Sequence, residues 1–375
     1  MRIAYLHPGS VPSLYANSVH AMRMCDAFAA AGHDVALYTA PGAYSVDDPH
    51  DYYGVRHRFP VHTVSSPDYT PAGYRDRAER VRELLTRATP DTIYGHDLYA
   101  LTAAADVAPV VYETHRLRDD PHTLGLEDRL LRADTLARVV VISHALARDY
   151  RHAYARLGRL PILVAPEGAD PPEPSAGTPE LPGRPNVPRI GYVGHLYEGR
   201  GIDLVLDLAD RFPDVDVHLI GGTPEDLARW NEPRRAGNAH FHGHRPPGAV
   251  SAYYPLLDVV LAPYQAKIYT AGGHCETGRW ASPMKLFEYM AHGRAIIASD
   301  LPVLREILRD RANCLLRPPD EPRAWADALG ELLTDHTLRH TLGDAAARQF
   351  AHTHTWRHRA ARVLANLDGG TTSST

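Results

Sequence analysis

Lysine is nearly absent from this chain. Of 40 lysines and arginines, only Lys267 and Lys285 are lysine. Where arginine fills every other cationic position, a lysine marks a place that asks for a compact ammonium rather than a wide planar guanidinium. Lys285 is therefore a candidate functional cation. Cysteine is scarce as well: Cys25, Cys275 and Cys314 are odd in number, widely spaced and without a CxxC pair. That excludes a disulfide scaffold and a cysteine zinc site, and it predicts a reduced, cytoplasmic setting. No run approaches the roughly 20 apolar residues of a membrane span, and residues 1–7 read as a first strand rather than a signal peptide. A net charge of −5 leaves no broad basic footprint for nucleic acid or an anionic membrane.

What is present is a regular alternation. At 375 residues the chain exceeds a single core, so two domains are expected. Short apolar β-branched runs at 2–7, 35–39, 92–96, 110–115 and 139–143 are each followed by a helical pattern, which predicts a parallel sheet covered on both faces. Asn17 is a good N-cap for the first helix, which should stop at Gly32. Residues 166–188 are rich in proline and glycine, the chemistry of a linker. A second strand series follows at 189–193, 215–220, 240–242, 259–263, 295–299 and 314–316. The expected organisation is an α/β chain with a first doubly wound, Rossmann-like domain over 1–168, a linker over 169–188 and a second such domain over 189–352. A last helix, 353–367, is a candidate to cross back to the first domain, and 369–375 should be disordered. Ligands of such folds bind at the carboxyl ends of the strands, so a central cleft faced by both domains is the expected site.

Residues 282–302 hold the most informative segment. Ser282 can cap a helix whose first position suits Pro283, and Lys285 and Glu288, three apart, share a face of that helix. Helix amides and Lys285 would hold an anion such as a diphosphate, with Glu288 accepting from a ribose diol. A plain ion pair at the helix start is the alternative.

The string Ser-Pro-x-Lys-Leu-Phe-Glu-Tyr-Met-Ala-x-Gly at 282–293 resembles a branch of the group 4 retaining glycosyltransferases of GT-B fold, and the resemblance extends over nearly the whole chain. The turn Gly194-His195-Leu196-Tyr197-Glu198-Gly199-Arg200-Gly201 is similar to the family's diphosphate-binding turn, with His195 at the family's Arg position and Arg200 at its Lys position. The resemblance implies donor contacts from Gly194, His195, Ser282, Pro283, Met284, Leu286 and Glu288, and from the turn Gly243-His244-Arg245 to the nucleobase. It places His115, at the end of a buried strand, against the donor sugar. His115, Arg200 and Lys285 are thus the implied catalytic residues. Further candidates for the sugar or acceptor are Ser10 and Tyr15 in the loop 9–16, Asn17 just after it, His96 at the preceding strand end, and Glu276. Glu276 is considered because the first carboxylate of the family's Glu-x7-Glu is replaced by Trp280. Ser143 and Glu167 resemble structural landmarks near the hinge.

The implied reaction is sugar transfer with retention from a nucleotide-diphosphate donor to a small-molecule or glycan acceptor, with no cofactor and no metal, and with the leaving diphosphate held by cations. The tyrosines of the first domain suit a small soluble acceptor, a lipid-linked glycan being the alternative. Other signals fail. Asp214-Val-Asp216 spells a metal motif but opens a strand; no Gly-x-Gly-x-x-Gly follows the first strand; and His242-Gly-His244 and His352-Thr-His354 lack a third ligand. The arginines of 74–88 alternate with acids and read as an ion-paired face, membrane contact being the less favoured reading. Two rival functions remain: a sugar-nucleotide epimerase of the same fold, and a non-catalytic partner subunit.

Overall fold

A computed structural model describes residues 1–173, 177–230, 237–269, 276 and 278–367. Cys275 and the expected disordered tail at 369–375 lie outside the described residues. The chain divides into two compact units, Met1–Pro166 together with the segment from Trp356, and Glu167–Thr355.

In the first unit, strands β1 (Arg2–Val11), β2 (Asp34–Pro41), β3 (Val61–Thr63), β4 (Thr92–Gly95), β5 (Val110–Thr114), β6 (Leu136–Val141) and β7 (Ile162–Val164) form one sheet in the order β3-β2-β1-β4-β5-β6-β7. Every pairing is parallel. The short edge strands β3 and β7 escaped the sequence pattern because three residues show no period. The order reverses at β1 and β4, and the strand ends beside that reversal are where a doubly wound sheet opens a crevice. β5 is buried along its whole length. The helix Pro71–Ala88 carries an ion pair of the expected kind, Arg80 with Asp76, while Arg82 pairs with Asp106 outside the helix.

In the second unit, β8 (Arg189–Val193), β9 (Asp216–Ile220), β10 (Ala239–Gly243), β11 (Val259–Ala262), β12 (Ala295–Ser299) and β13 (Leu315–Arg317) make a parallel sheet in the order β10-β9-β8-β11-β12-β13. All six expected positions are strands, and the reversal falls at β8 and β11. One face packs Ile190, Leu219, Leu261 and Ile297 against Val205, Leu208 and Trp325.

Three local expectations are corrected. The first helix spans Ala16–Ala30, and Tyr15 rather than Asn17 is its N-cap, without a side-chain bond. The seams between units lie at 166/167 and 355/356 rather than at 168 and 352. The described residues of the expected linker, 169–173 and 177–188, accordingly belong to the second unit. Arg184 donates through Nε (3.1 Å) and Nη2 (2.9 Å) to Oδ1 of buried Asp216, and Ala169 bridges to Thr355. A buried carboxylate needs such a partner, which fastens the proline-rich segment to β9. The same contact gives Asp216 a structural role.

Candidate functional site

β8 ends at Val193, and the chain turns through Gly194 at φ +135°, a conformation that favours glycine. A Cβ there would come within 2.8 Å of Lys285 Nζ. Gly201, at φ +72°, then opens the helix Ile202–Arg211. The ammonium of Lys285 lies 3.7 Å from the centroid of the Tyr192 ring and 5.2 Å from that of Tyr264. The side chain as a whole is partly exposed, but Nζ is buried and has no hydrogen-bond partner among the described residues. Burial, then the nearby Arg200 charge, push the Lys285 ammonium well below its ordinary value, with Glu288 opposing. The Arg200 guanidinium stacks 4.7 Å over Tyr197, donates Nη2–H to the Tyr197 hydroxyl (2.8 Å), and leaves a buried Nε without a partner among the described residues. His195 stacks on Tyr197 at 5.1 Å, and burial with the charges of Arg200 and Lys285 lowers it to about 4, so it is neutral at pH 7.

These groups make a cationic cradle walled by aromatic rings, with two buried donors that have no partner among the described residues. Such donors are costly unless an anion arrives. The ion pair that the spacing also allowed is not made as a hydrogen bond. Glu288 Oε2 instead accepts from the Tyr254 hydroxyl at 2.5 Å. At the end of β10, Gly243 turns at φ +68° and its carbonyl accepts from Gly221 N (2.9 Å). Burial, then Arg245, lower half-buried His244, whose charge in turn acts on His195. Arg245 Nε donates to the Tyr253 hydroxyl at 2.8 Å. The two glycine turns and the start of helix Met284–Ala291 thus collect at one site of the second unit.

In the first unit, His115 follows β5, and its Nε2 lies 2.7 Å from Glu113 Oε1. His96, which follows β4, stacks on His115 with ring centroids 5.6 Å apart. His7 Nδ1 lies 3.0 Å from His96 Nε2. Burial and the neighbouring histidines lower His7 to about 3 and His96 well below its ordinary value, so both are neutral. Among the described residues no helix is long and apolar enough to cross a membrane.

Residues 18–173 match the family model described as Glycosyltransferase Family 4, and 187–335 match the one described as Glycosyl transferases group 1. The chain is 28% identical over 375 residues to a phosphatidyl-myo-inositol mannosyltransferase of Mycolicibacterium smegmatis, covering 95% of this chain and 89% of that protein. It is 28% identical over 191 residues to a D-inositol 3-phosphate glycosyltransferase of Corynebacterium urealyticum, covering 47% and 41% of the two chains. Among solved structures, a glycosyltransferase from Rickettsia africae aligns with TM-score 0.71 at 13% identity over 97% of this chain and 99% of that one. Anabaena HepE in complex with UDP and glucose aligns with TM-score 0.69 at 16% identity over 98% and 99%.

This chain is a GT-B glycosyltransferase. Several donor residues expected from the resemblance are placed differently in the glycosyltransferase than their sequence suggested. Ser282 does not cap the helix; its Oγ accepts from Glu167 N at 2.9 Å, and Pro283 is the N-cap, so the helix starts at Met284. Leu286 is a core residue, and its N–H donates to Pro283 O at 3.1 Å. Trp280 is buried in a single turn with the Arg279 guanidinium 5.2 Å from its ring. Glu276 is exposed and bridges to Tyr269.

Ser10 lies within β1, which runs on to Val11, and its carbonyl accepts from Ser18 Oγ at 2.9 Å, so it is not a loop group. Tyr15 is exposed, while Asn17 Oδ1 is buried without a partner among the described residues. Sequence reasoning missed Tyr192 and Tyr264, the rings that wall Lys285, and Glu113. A carboxylate inside a run of β-branched residues was the available signal for Glu113.

Proposed function

We propose that this glycosyltransferase moves a hexose from a nucleotide-diphosphate donor to a polyol-bearing acceptor, with retention of configuration and without a metal ion. The observation that carries the reading is the buried Nζ of Lys285, without a hydrogen-bond partner among the described residues, beside Arg200 and neutral His195. A diphosphate would supply the missing acceptors, and the same cations would stabilise the charge that develops as the sugar departs. With Lys285 and Arg200 in place, the charge a divalent ion neutralises elsewhere is met by side chains. Glu288 is suited to accept from a ribose hydroxyl. The turn Gly243-His244-Arg245 faces the base in this reading, and His115 meets the transferred sugar. The relatives named above are called a mannosyltransferase of phosphatidyl-myo-inositol and a glycosyltransferase of D-inositol 3-phosphate, which supports an inositol-like acceptor and a hexosyl donor.

The test is incubation with GDP-mannose or UDP-glucose and myo-inositol, inositol 3-phosphate or phosphatidylinositol vesicles, in EDTA, with the anomeric proton of the product read by NMR. Transfer that persists in EDTA, gives the donor's α-configuration and is lost in Lys285→Met is the expected result. Transfer that requires added metal, or a β-linked product, would refute the corresponding part of the reading. Nucleotide release with no acceptor and an altered sugar would indicate an epimerase.

A further inference from the structure

Glu113 is fully buried, yet both of its carboxylate oxygens are hydrogen-bonded. Its Oε1 accepts from Arg359 Nη2 at 2.6 Å and lies 2.7 Å from His115 Nε2 and 3.2 Å from His20 Nε2. Its Oε2 accepts from the Tyr94 hydroxyl and from Arg359 Nη1 at 3.4 Å. Arg359 belongs to the helix Trp356–Leu364 and is itself fastened, its Nε donating to Pro166 O at 3.0 Å. Burial alone would raise the Glu113 carboxyl, but Arg359, His20 and the bond from His115 outweigh it and hold it well below its ordinary value. The group is therefore an anion.

An anionic carboxylate can only accept, so the imidazole nitrogen facing it at 2.7 Å carries the proton. For a neutral His115 this fixes the Nε2–H tautomer and makes Nδ1 the lone-pair nitrogen. Packing alone does not require such an arrangement. A buried ion pair contributes little net stability compared with apolar side chains of the same size, whereas an imidazole whose proton must sit on a stated nitrogen needs a fixed acceptor facing that nitrogen.

We propose that Glu113, anchored by Arg359 and Tyr94, is a positioning residue of the transfer reaction that locks His115 in the Nε2–H tautomer, so that the ring meets a substrate hydroxyl through Nδ1 as an acceptor. The proposal rests on the reading above that His115 meets the transferred sugar. No bond is made or broken at Glu113. It acts through the orientation and proton placement of His115, as a carboxylate behind a catalytic histidine does.

The test begins with the ligand-free full chain carrying 15N-histidine, in which long-range 1H–15N spectra report the tautomer of each ring and the His115 signals are assigned by their loss in His115→Gln. The expected wild-type result is a single Nε2–H tautomer for His115. An Nδ1–H ring or an even mixture overturns the proposal without reference to any donor. The double variant Glu113→Gln/Arg359→Met removes the charge pair while keeping volume. If it melts cooperatively, His115 should become a tautomer mixture, and kcat with GDP-mannose or UDP-glucose should fall roughly 10- to 100-fold, with KM for the donor within about twofold. An unchanged tautomer and kcat in that variant would overturn the proposal. If the double variant does not fold, the wild-type spectrum decides. If the wild type turns over neither donor, the proposed function fails while the spectrum still judges Glu113.

Discussion

The ammonium of Lys285 sits 3.7 Å from the centre of the Tyr192 ring, and no acceptor in the described residues bonds to it. A cation–π contact offsets part of the cost of burying that charge, but an attraction of about 0.5–2 kcal/mol does not replace a counter-ion. The ligand-free state therefore carries a cost that the proposed diphosphate would relieve.

It follows that Lys285→Met should stabilise the empty protein while abolishing nucleotide binding. A gain of about 1 kcal/mol, or roughly 2–4 °C in Tm for a unit of this size, is expected. Thermal melts of both proteins without ligand check the sign. A melting temperature lowered by several degrees would mean that Lys285 is a structural cation.

Binding of a nucleoside diphosphate should take up protons. Burial and Arg200 lower Lys285 in the empty chain, with Glu288 opposing, and a diphosphate would restore its charge. Because the folded value lies below the unfolded one, near 10.4, the empty chain bears a penalty that grows as pH falls through that window and is complete below the lowered value. Bound diphosphate removes it. Calorimetry in buffers of differing ionisation enthalpy should show uptake of up to about one proton between the lowered value and 10.4, with affinity weakening as pH rises. Proton release, or the same uptake in Lys285→Met, would contradict this.

Gly194→Ala should damage the same site from the backbone side. Its φ of +135° is strained for alanine, and the new methyl would lie 2.8 Å from Lys285 Nζ. A loss of about 1–3 kcal/mol in stability is expected, together with at least a tenfold loss of UDP or GDP affinity, read by titration.

Glu288→Gln should separate the sugar of the nucleotide from its phosphates. The Tyr254 hydroxyl can still bond to the amide oxygen, but a charge-assisted bond to ribose is weakened by about 1.5 kcal/mol, near tenfold. Inorganic pyrophosphate should bind the variant as it binds the wild type. Equal losses for both ligands would mean that the change disturbs the cradle rather than a ribose contact.

Much of this was legible in the sequence, for identifiable reasons. The six strands of the second unit and its glycine turn announce themselves because parallel strands are continuous apolar runs, and glycine is favoured at the angles of Gly194 and Gly201. Lys285 stood out against an arginine background. What stayed hidden depends on contacts between residues remote in the chain. Glu113 and Arg359 are 246 residues apart, and nothing local marks the partner. Ser282 has the residue type of a cap, but its hydroxyl is taken by the Glu167 amide 115 residues away. The proline-rich segment read as a linker because composition does not reveal that Arg184 is fixed to Asp216. Local rules found the elements, and tertiary hydrogen bonds reassigned individual side chains within them.

The central claim is that Lys285 and its neighbours hold a nucleoside diphosphate. The most direct test is a thermal-shift screen of UDP, GDP, ADP and TDP, with and without their common sugars, on the wild type and on Lys285→Ala. The account predicts that one diphosphate stabilises the wild type selectively and leaves Lys285→Ala unmoved; no shift with any of the four, or equal shifts in both proteins, would contradict it.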